Sequence, residues 1–158
     1  MTGLATDEFR AQVTFTRAWW SVISSTRIFV EAFCSHVAAE GDLSERVSMV
    51  CHELLQNAWQ HATAEESLIG CSVIVADRCV KVSVDNAATN AAAEDLAREI
   101  AAVGGGDPLD VFVQKMKSSL APGQAGNLGL ARIRYEGRAS LELVPGSGRV
   151  TVVATLER

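Results

Sequence analysis

Basic charge is scarce in this chain of 158 residues: 14 Lys and Arg face 19 Asp and Glu, for a net charge of −5. Nucleic acids and anionic bilayers are held by clustered cations, so neither is expected as a partner. No apolar run approaches the roughly 20 residues that a spanning helix needs. The first residues, MTGLATDEFR, carry acids and no hydrophobic region of the signal-peptide kind, so the expected compartment is the cytoplasm. Cys34, Cys51, Cys71 and Cys79 show no C-x-x-C spacing, which argues against a zinc framework. Cys51 and Cys71 stand in apolar stretches and read as small buried hydrophobes. Internal repeats and low-complexity linkers are also missing. Length and a hydrophobic fraction of 48% fit one domain over 1–158 with a packed core.

What is present is a succession of paired helices and paired strands. Gln12–Thr16 alternates briefly and reads as a first strand. Ile23, Phe29, Val30, Phe33 and Val37 recur at helical spacing, which predicts a helix over Trp20–Ala39. Trp19 and Trp20 read as packing residues. Glu40-Gly41 breaks that helix. Asp42 and Glu45 then form a capping-box pattern for a helix over Leu43–Ala62, with Val47, Val50, Leu54 and Ala58 on its buried stripe. Leu68–Ala76 and Cys79–Val84 read as a hairpin around Asp77-Arg78. Asp85–Asn90 reads as a polar turn before a helix over Ala91–Val103. Asp107 caps a further helix with Pro108 at its first position, running to about Leu120. Pro122–Gly129 is a glycine-rich loop before a short helix, Leu128–Tyr135. Strands over Ser140–Val144 and Arg149–Leu156 close the chain around Pro145–Gly148. The fold class expected is α+β: a two-layer sandwich with helices on one face of a mostly antiparallel mixed sheet.

Three stretches carry residues suited to chemistry. In "VCHELLQNAWQHA", Glu53, Asn57 and His61 lie at steps of four and form one line beside the apolar stripe. An amide oxygen suits a hard cation such as Mg²⁺, and a carboxylate one turn away can accept a proton. A solvated helix flank explains the same line without chemistry. A metalloprotease H-E-x-x-H motif fails, because Gln56 stands where the second His would be. In "SVDNAAT", Asp85 follows a strand and could accept from an exocyclic amine; an Asx turn explains it equally. In "GQAGNLGLARI", Gly123, Gly126 and Gly129 fall three apart before a helix, where backbone N–H groups and the helix dipole favour phosphate.

In this order the three stretches resemble the GHKL ATPase superfamily of gyrase, chaperone ATPases, histidine kinases and MutL. "HELLQNAWQHA" is similar to the N box, Asp85 falls at the adenine-binding position of the first glycine box, and "GQAGNLGLARI" is similar to the second. Too little chain precedes the N box for a phospho-acceptor helix pair, so His36 is not expected to be phosphorylated. The chain looks most like the anti-sigma-factor serine kinases of the RsbW and SpoIIAB type, and still more like SiaB-type kinases. The resemblance implies a Bergerat-type fold and ATP with Mg²⁺ as cofactors. It implies transfer of phosphate to Ser or Thr of a STAS-domain anti-anti-sigma partner. It also implies a homodimer through the first strand and helix.

By position, Asn57 would ligate Mg²⁺ and Glu53 would be the base. Asp85, or else Asn86, would meet the adenine amine. Gly123, Gly126, Leu128 and Gly129 would cradle phosphates. Lys115 and Lys117 fall in the expected lid helix before that loop and could approach the phosphates, but they read first as a solvated helix face. Arg17, Arg27 and Arg46 could serve an acidic partner surface but read first as solvated charges. The first glycine box departs from the family pattern: Ala87 and Thr89 replace its two glycines. The rival expectation is therefore a non-catalytic protein-binding module that has lost nucleotide.

Overall fold

The computed structural model describes residues 8–121 and 128–158. Five strands form one sheet in the order β1-β2-β3-β5-β4, and all four pairings are antiparallel. They are β1 (Phe9–Thr16), β2 (Leu68–Val75), β3 (Cys79–Ala87), β4 (Ala139–Pro145) and β5 (Arg149–Glu157). The helices are α1 (Val22–Val37), α2 (Leu43–His61), α3 (Asn90–Gly104), α4 (Pro108–Ser119) and α5 (Leu128–Tyr135). The α+β sandwich expected from the sequence is found, but the sheet, expected to be mixed, is antiparallel at every described pairing.

The two-residue period of the strands separates the faces of the sheet. Val80, Val82 and Val84 of β3 are buried, as are Val152, Ala154 and Leu156 of β5. α2 packs over this inner face because Val47, Val50, Cys51, Leu54, Leu55 and Ala58 recur at helical spacing and are all buried. α1 flanks α2 and buries Ile23, Val30 and Cys34. α5 packs on α2 and α4 through Leu130, Ala131 and Ile133.

Several local expectations change. β1 begins at Phe9, earlier than Gln12, because the ladder with β2 continues to Phe9 opposite Val75. Trp19 and Trp20 lie on the surface at 64% and 62% exposure, so they do not pack the core. Arg17 is no solvated charge. Its Nε donates to Trp59 O at 2.9 Å, Trp59 Nε1 donates to Arg17 O at 3.0 Å, and the guanidinium lies 5.1 Å from the indole centroid. This reciprocal pair ties the end of α2 to the start of the first helical segment. Arg46 is likewise engaged, by Asp42 at 2.9 Å and by Gly137 O at 3.3 Å. Asp42 makes no side-chain cap, because its carboxylate turns to Arg46, which also holds its pKa below the usual carboxylate value. Arg27 remains exposed.

Other caps form as their residue types dictate. Asp107 Oδ1 accepts from Leu109 N and Asp110 N at 3.0 and 3.2 Å, with Pro108 following. Thr89 caps α3, its Oγ1 accepting from Ala92 N at 3.2 Å. Cys51 and Cys71 are buried with their thiols 3.5 Å apart. No group of His, Cys, Asp or Glu among the described residues is placed to hold a metal ion. No described helix is long and apolar enough to cross a membrane.

Candidate functional site

A cavity of about 440 Å³ opens between α2, α3 and the end of β3. That volume lies within the range of small-molecule sites. α2 contributes Asn57 and His61 to its wall, and Asn86 comes from β3. The opposite wall is α3, with Ala92, Leu96 and the acids Asp95 and Glu99. Val150 of β5 and Lys115 of α4 complete it.

The line Glu53, Asn57, His61 is thus divided. Each step of four turns a helix by about 40° beyond one full turn, so the three side chains fan apart. Asn57 and His61 face the cavity. Glu53 turns to α5, where Arg132 Nη1 donates to its Oε1 at 2.8 Å. Its other oxygen abuts Gly129: a Cβ there would stand 2.7 Å from Glu53 Oε2. The Glu53 side chain is only 13% exposed, so this contact largely encloses it. Arg132 is shared, since its Nε also donates to Glu136 Oε2 at 2.8 Å. Both carboxylates raise the Arg132 pKa, the Glu136 hydrogen bond most.

Asp85 and Asn86 are divided by the pleat. β3 runs on to Ala87, so the expected polar turn at Asp85 is strand. The ladder sets Asn86 opposite Ile69 and Val150, on the buried face. Asn86 is 5% exposed and donates from Nδ2 to Ala87 O at 2.9 Å. Asp85 falls on the outer face, paired with Arg149, which donates from Nε to Oδ2 at 3.1 Å. Asp85 Oδ1 there occupies the space where a side chain on Gly70 would begin. Of the two expected base contacts, only Asn86 lines the cavity.

Ala87 and Thr89 fit without glycine. Thr89 is extended at φ −74 and ψ 161, and the one described non-glycine residue with positive φ is Arg138. The backbone after β3 therefore makes no demand that only glycine meets. Leu128 and Gly129 begin α5, beside Glu53. Gly123 and Gly126 lie outside the described residues.

Sequence reasoning missed Arg132 and the acids of α3. Arg132–Glu136 has the i,i+4 spacing of a helical ion pair, but nothing in the spacing points to Glu53, 79 residues away. His52, set aside with the failed zinc motif, has a buried Nδ1 without a partner. Burial pushes its pKa down, Glu53 acts the other way, and Arg27 and Arg132 add to the lowering. Arg134 crosses from α5 to the end of α3, donating to Val103 O at 2.5 Å and Gly106 O at 2.8 Å. This ties the end of α3 to α5.

Chemically, the cavity offers two amides, an imidazole and one lysine, and on the α3 wall Glu99 together with Asp95, which is paired with Arg98. An amide oxygen can ligate a hard cation. A buried amide beside a strand end can pair with the polar edge of a heterocycle.

No family model matches the chain, and no curated protein matches its sequence. Solved structures do match. The chain is similar to one in the SiaB–SiaC complex from Pseudomonas aeruginosa, with 17% identity and a TM-score of 0.67, over 92% of this chain and 89% of that one. The catalytic domain of the histidine kinase ThkA aligns at 17% identity and a TM-score of 0.42, over 93% and 97% of the two chains. The histidine kinase domain of a blue-light-activated kinase from Erythrobacter litoralis aligns at 16% identity and a TM-score of 0.44, over 99% of this chain and 65% of that one. The likeness at a TM-score of 0.67 shows that this chain shares the α+β sandwich fold of that chain of the complex.

Proposed function

We propose that the cavity binds Mg·ATP and that the chain, acting as one unit over 1–158, is a regulatory serine/threonine protein kinase. The observation that carries this reading is that Asn57 from α2 and Asn86 from β3 face one cavity of about 440 Å³. The residues fit the cofactor: an amide oxygen for the metal, a buried amide for the base and a lysine on the far wall. Asn57 would ligate Mg²⁺, and Asn86 would meet the adenine edge. Gly129 and Leu128, with Gly123 and Gly126, would lie along the phosphates through backbone N–H groups. Bound Mg²⁺ supplies charge neutralisation, on which phosphoryl transfer chiefly depends. Glu53 would accept the proton of the partner's hydroxyl as that oxygen takes the γ-phosphoryl and ADP departs. For that, Arg132 must give up Glu53 and keep Glu136.

The partner in this reading is a small STAS-domain protein of the anti-anti-sigma kind, and the setting is the cytoplasm. The similar chain solved as a SiaB–SiaC complex supports a protein partner. A second copy of the chain would pair through β1 and α1, with Trp19 and Trp20 between them 64% and 62% exposed and Ile28 of α1 70% exposed. Incubating the protein with Mg·[γ-³²P]ATP and STAS-domain candidates tests the reading. Label should pass to a partner Ser or Thr, and Asn57→Ala should abolish it. Tight ATP binding with no transfer to any candidate would remove the kinase and leave a nucleotide-binding switch.

One observation favours a second reading, a non-catalytic binding module. Glu53 and Asp85 are both held by arginines, Arg132 and Arg149, and neither lines the cavity. Calorimetry with an ATP analogue separates the two: Mg²⁺-dependent binding disposes of a module that has lost nucleotide.

A further inference from the structure

A second cavity, of about 470 Å³, opens between the first turn of α4, the end of α5 and the start of β4. It shares no lining residue with the cavity that holds Asn57 and Asn86. Pro108, Leu109 and Tyr135 give it an apolar wall, and Leu109 and Tyr135 remain 45% and 38% exposed. Phe112 stacks on Tyr135 with ring centroids 5.3 Å apart, which steadies that wall.

The charge of this cavity runs against that of the chain. Net charge is −5, yet Arg134 and Arg138 line the cavity against one acid, Asp107. Asp107 is committed to the cap of α4, where its Oδ1 accepts from Leu109 N and Asp110 N. Arg134 bonds to the carbonyl oxygens of Val103, Gly105 and Gly106, which satisfy its N–H groups and leave its charge unneutralised. Arg138 stands 3.8 Å from Asp42, which Arg46 already holds at 2.9 Å. The Arg138 side chain is 70% exposed, so that long contact contributes little. Its backbone is also unfavourable for arginine: φ is 50, in the left-handed region where a Cβ is strained and glycine is not. A strained backbone carrying a side chain with no strong partner points to use of that side chain.

We propose that this cavity is a docking site for a protein partner, taking an acidic segment that carries a large apolar side chain. The apolar side chain enters over Pro108, Leu109 and Tyr135, and flanking carboxylates meet Arg138 and Arg134. The planar fork of arginine suits a carboxylate, which it can pair with two hydrogen bonds. Docking here needs no nucleotide, because the two cavities are separate.

Selection from a displayed library of random dodecapeptides on the full chain tests this. The best binder is then synthesised and titrated by fluorescence anisotropy against wild type, Arg138→Gly, Leu109→Ser and Lys117→Gln. Enriched peptides should combine Asp or Glu with a large apolar residue. Arg138→Gly should weaken binding about tenfold or more, the scale of one charge-assisted hydrogen bond. It should also keep or raise the melting temperature, because glycine relieves the backbone at φ 50. An arginine with a structural role alone would give the opposite, a lower melting temperature with unchanged binding. Leu109→Ser should weaken binding, while Lys117→Gln, exposed on α4 outside the cavity, should match the wild type. Enrichment of no acidic and apolar sequence, or equal affinity in Arg138→Gly and wild type, would overturn the inference while the nucleotide reading stands. Poly-glutamate of the same length that binds as tightly as the selected peptide would also overturn it, showing charge attraction without an apolar anchor.

Discussion

Arg132 Nη1 and Glu53 Oε1 meet at 2.8 Å across α5 and α2, and the same guanidinium holds Glu136 at 2.8 Å. One arginine thus serves an enclosed carboxylate and a half-exposed one, whose side chains are 13% and 40% exposed. Arg132 is itself 42% exposed, so solvent screening discounts the pair. Arg132→Gln is expected to destabilise the fold by about 1 kcal/mol. A double-mutant cycle with Glu53→Gln in urea should give a coupling of about 0.5–1 kcal/mol. Additive effects would show that the two side chains do not interact in solution.

Gly129 keeps Glu53 in place from the other side. A methyl at Gly129 would stand 2.7 Å from Glu53 Oε2, and Arg132 restrains the carboxylate from moving away. Gly129→Ala should therefore destabilise by about 1–3 kcal/mol, as overpacking does. Adding Glu53→Ala should recover part of that loss. A denaturation midpoint unchanged by Gly129→Ala would show that the side chain swings freely.

The pleat of β3 makes a sharp distinction between neighbours. Asn86→Ala should weaken ATP binding about tenfold, the scale of one buried polar contact to a ligand. Asp85→Asn should leave ATP affinity unchanged and lower stability modestly through Arg149. Titration calorimetry on both variants checks this. The reverse ranking would restore Asp85 as the base contact.

Those neighbours also mark what the sequence could tell. α2 was legible because its apolar period is regular over five turns, and Asn57 followed from that period. The β2–β3 hairpin was legible from two β-branched runs and a short join. The end of β3 was not, because "SVDNAAT" is polar enough to read as a turn. Its strand register comes from β2 and β5, and a shift of one residue exchanges the faces of a strand. Arg132 was hidden for a similar reason, since its partner Glu53 is 79 positions away. Trp19 and Trp20 misled because aromatic area says how much a residue can bury, not where. Asp42 misled because Arg46, one turn on, competes for its carboxylate.

The buried thiols give a pH signature. Burial pushes Cys34 up to about 11 from 9.0. Cys51 is also pushed up, first by its hydrogen bond with Cys71 and then by burial. The unfolded chain releases these protons near pH 9 and the folded chain only higher. Stability is then full below pH 9 and falls as pH rises toward 11. Urea midpoints across that window should decline, and Cys34→Ala should flatten the slope. A thiol reagent at pH 8 should label Cys79 first, as the one cysteine that is not buried.

His52 acts at the other end. Its folded pKa lies below 6.5, chiefly through burial of the ring. The unfolded chain then takes up a proton first as pH falls. Stability contributed by neutral His52 is present above pH 6.5 and is lost below it. His52→Phe should weaken that acid dependence in urea denaturation. An unchanged slope would show that His52 titrates alike in both states.

The central claim is that Asn57 ligates the metal of a nucleotide held between α2, α3 and β3. Titrating the protein with ATP, with and without Mg²⁺, alongside Asn57→Ala, addresses it most directly. The account expects binding that requires Mg²⁺ in the wild type and falls at least about tenfold in Asn57→Ala. A folded wild type that binds no ATP, or Asn57→Ala that binds Mg·ATP as well as the wild type, would contradict it.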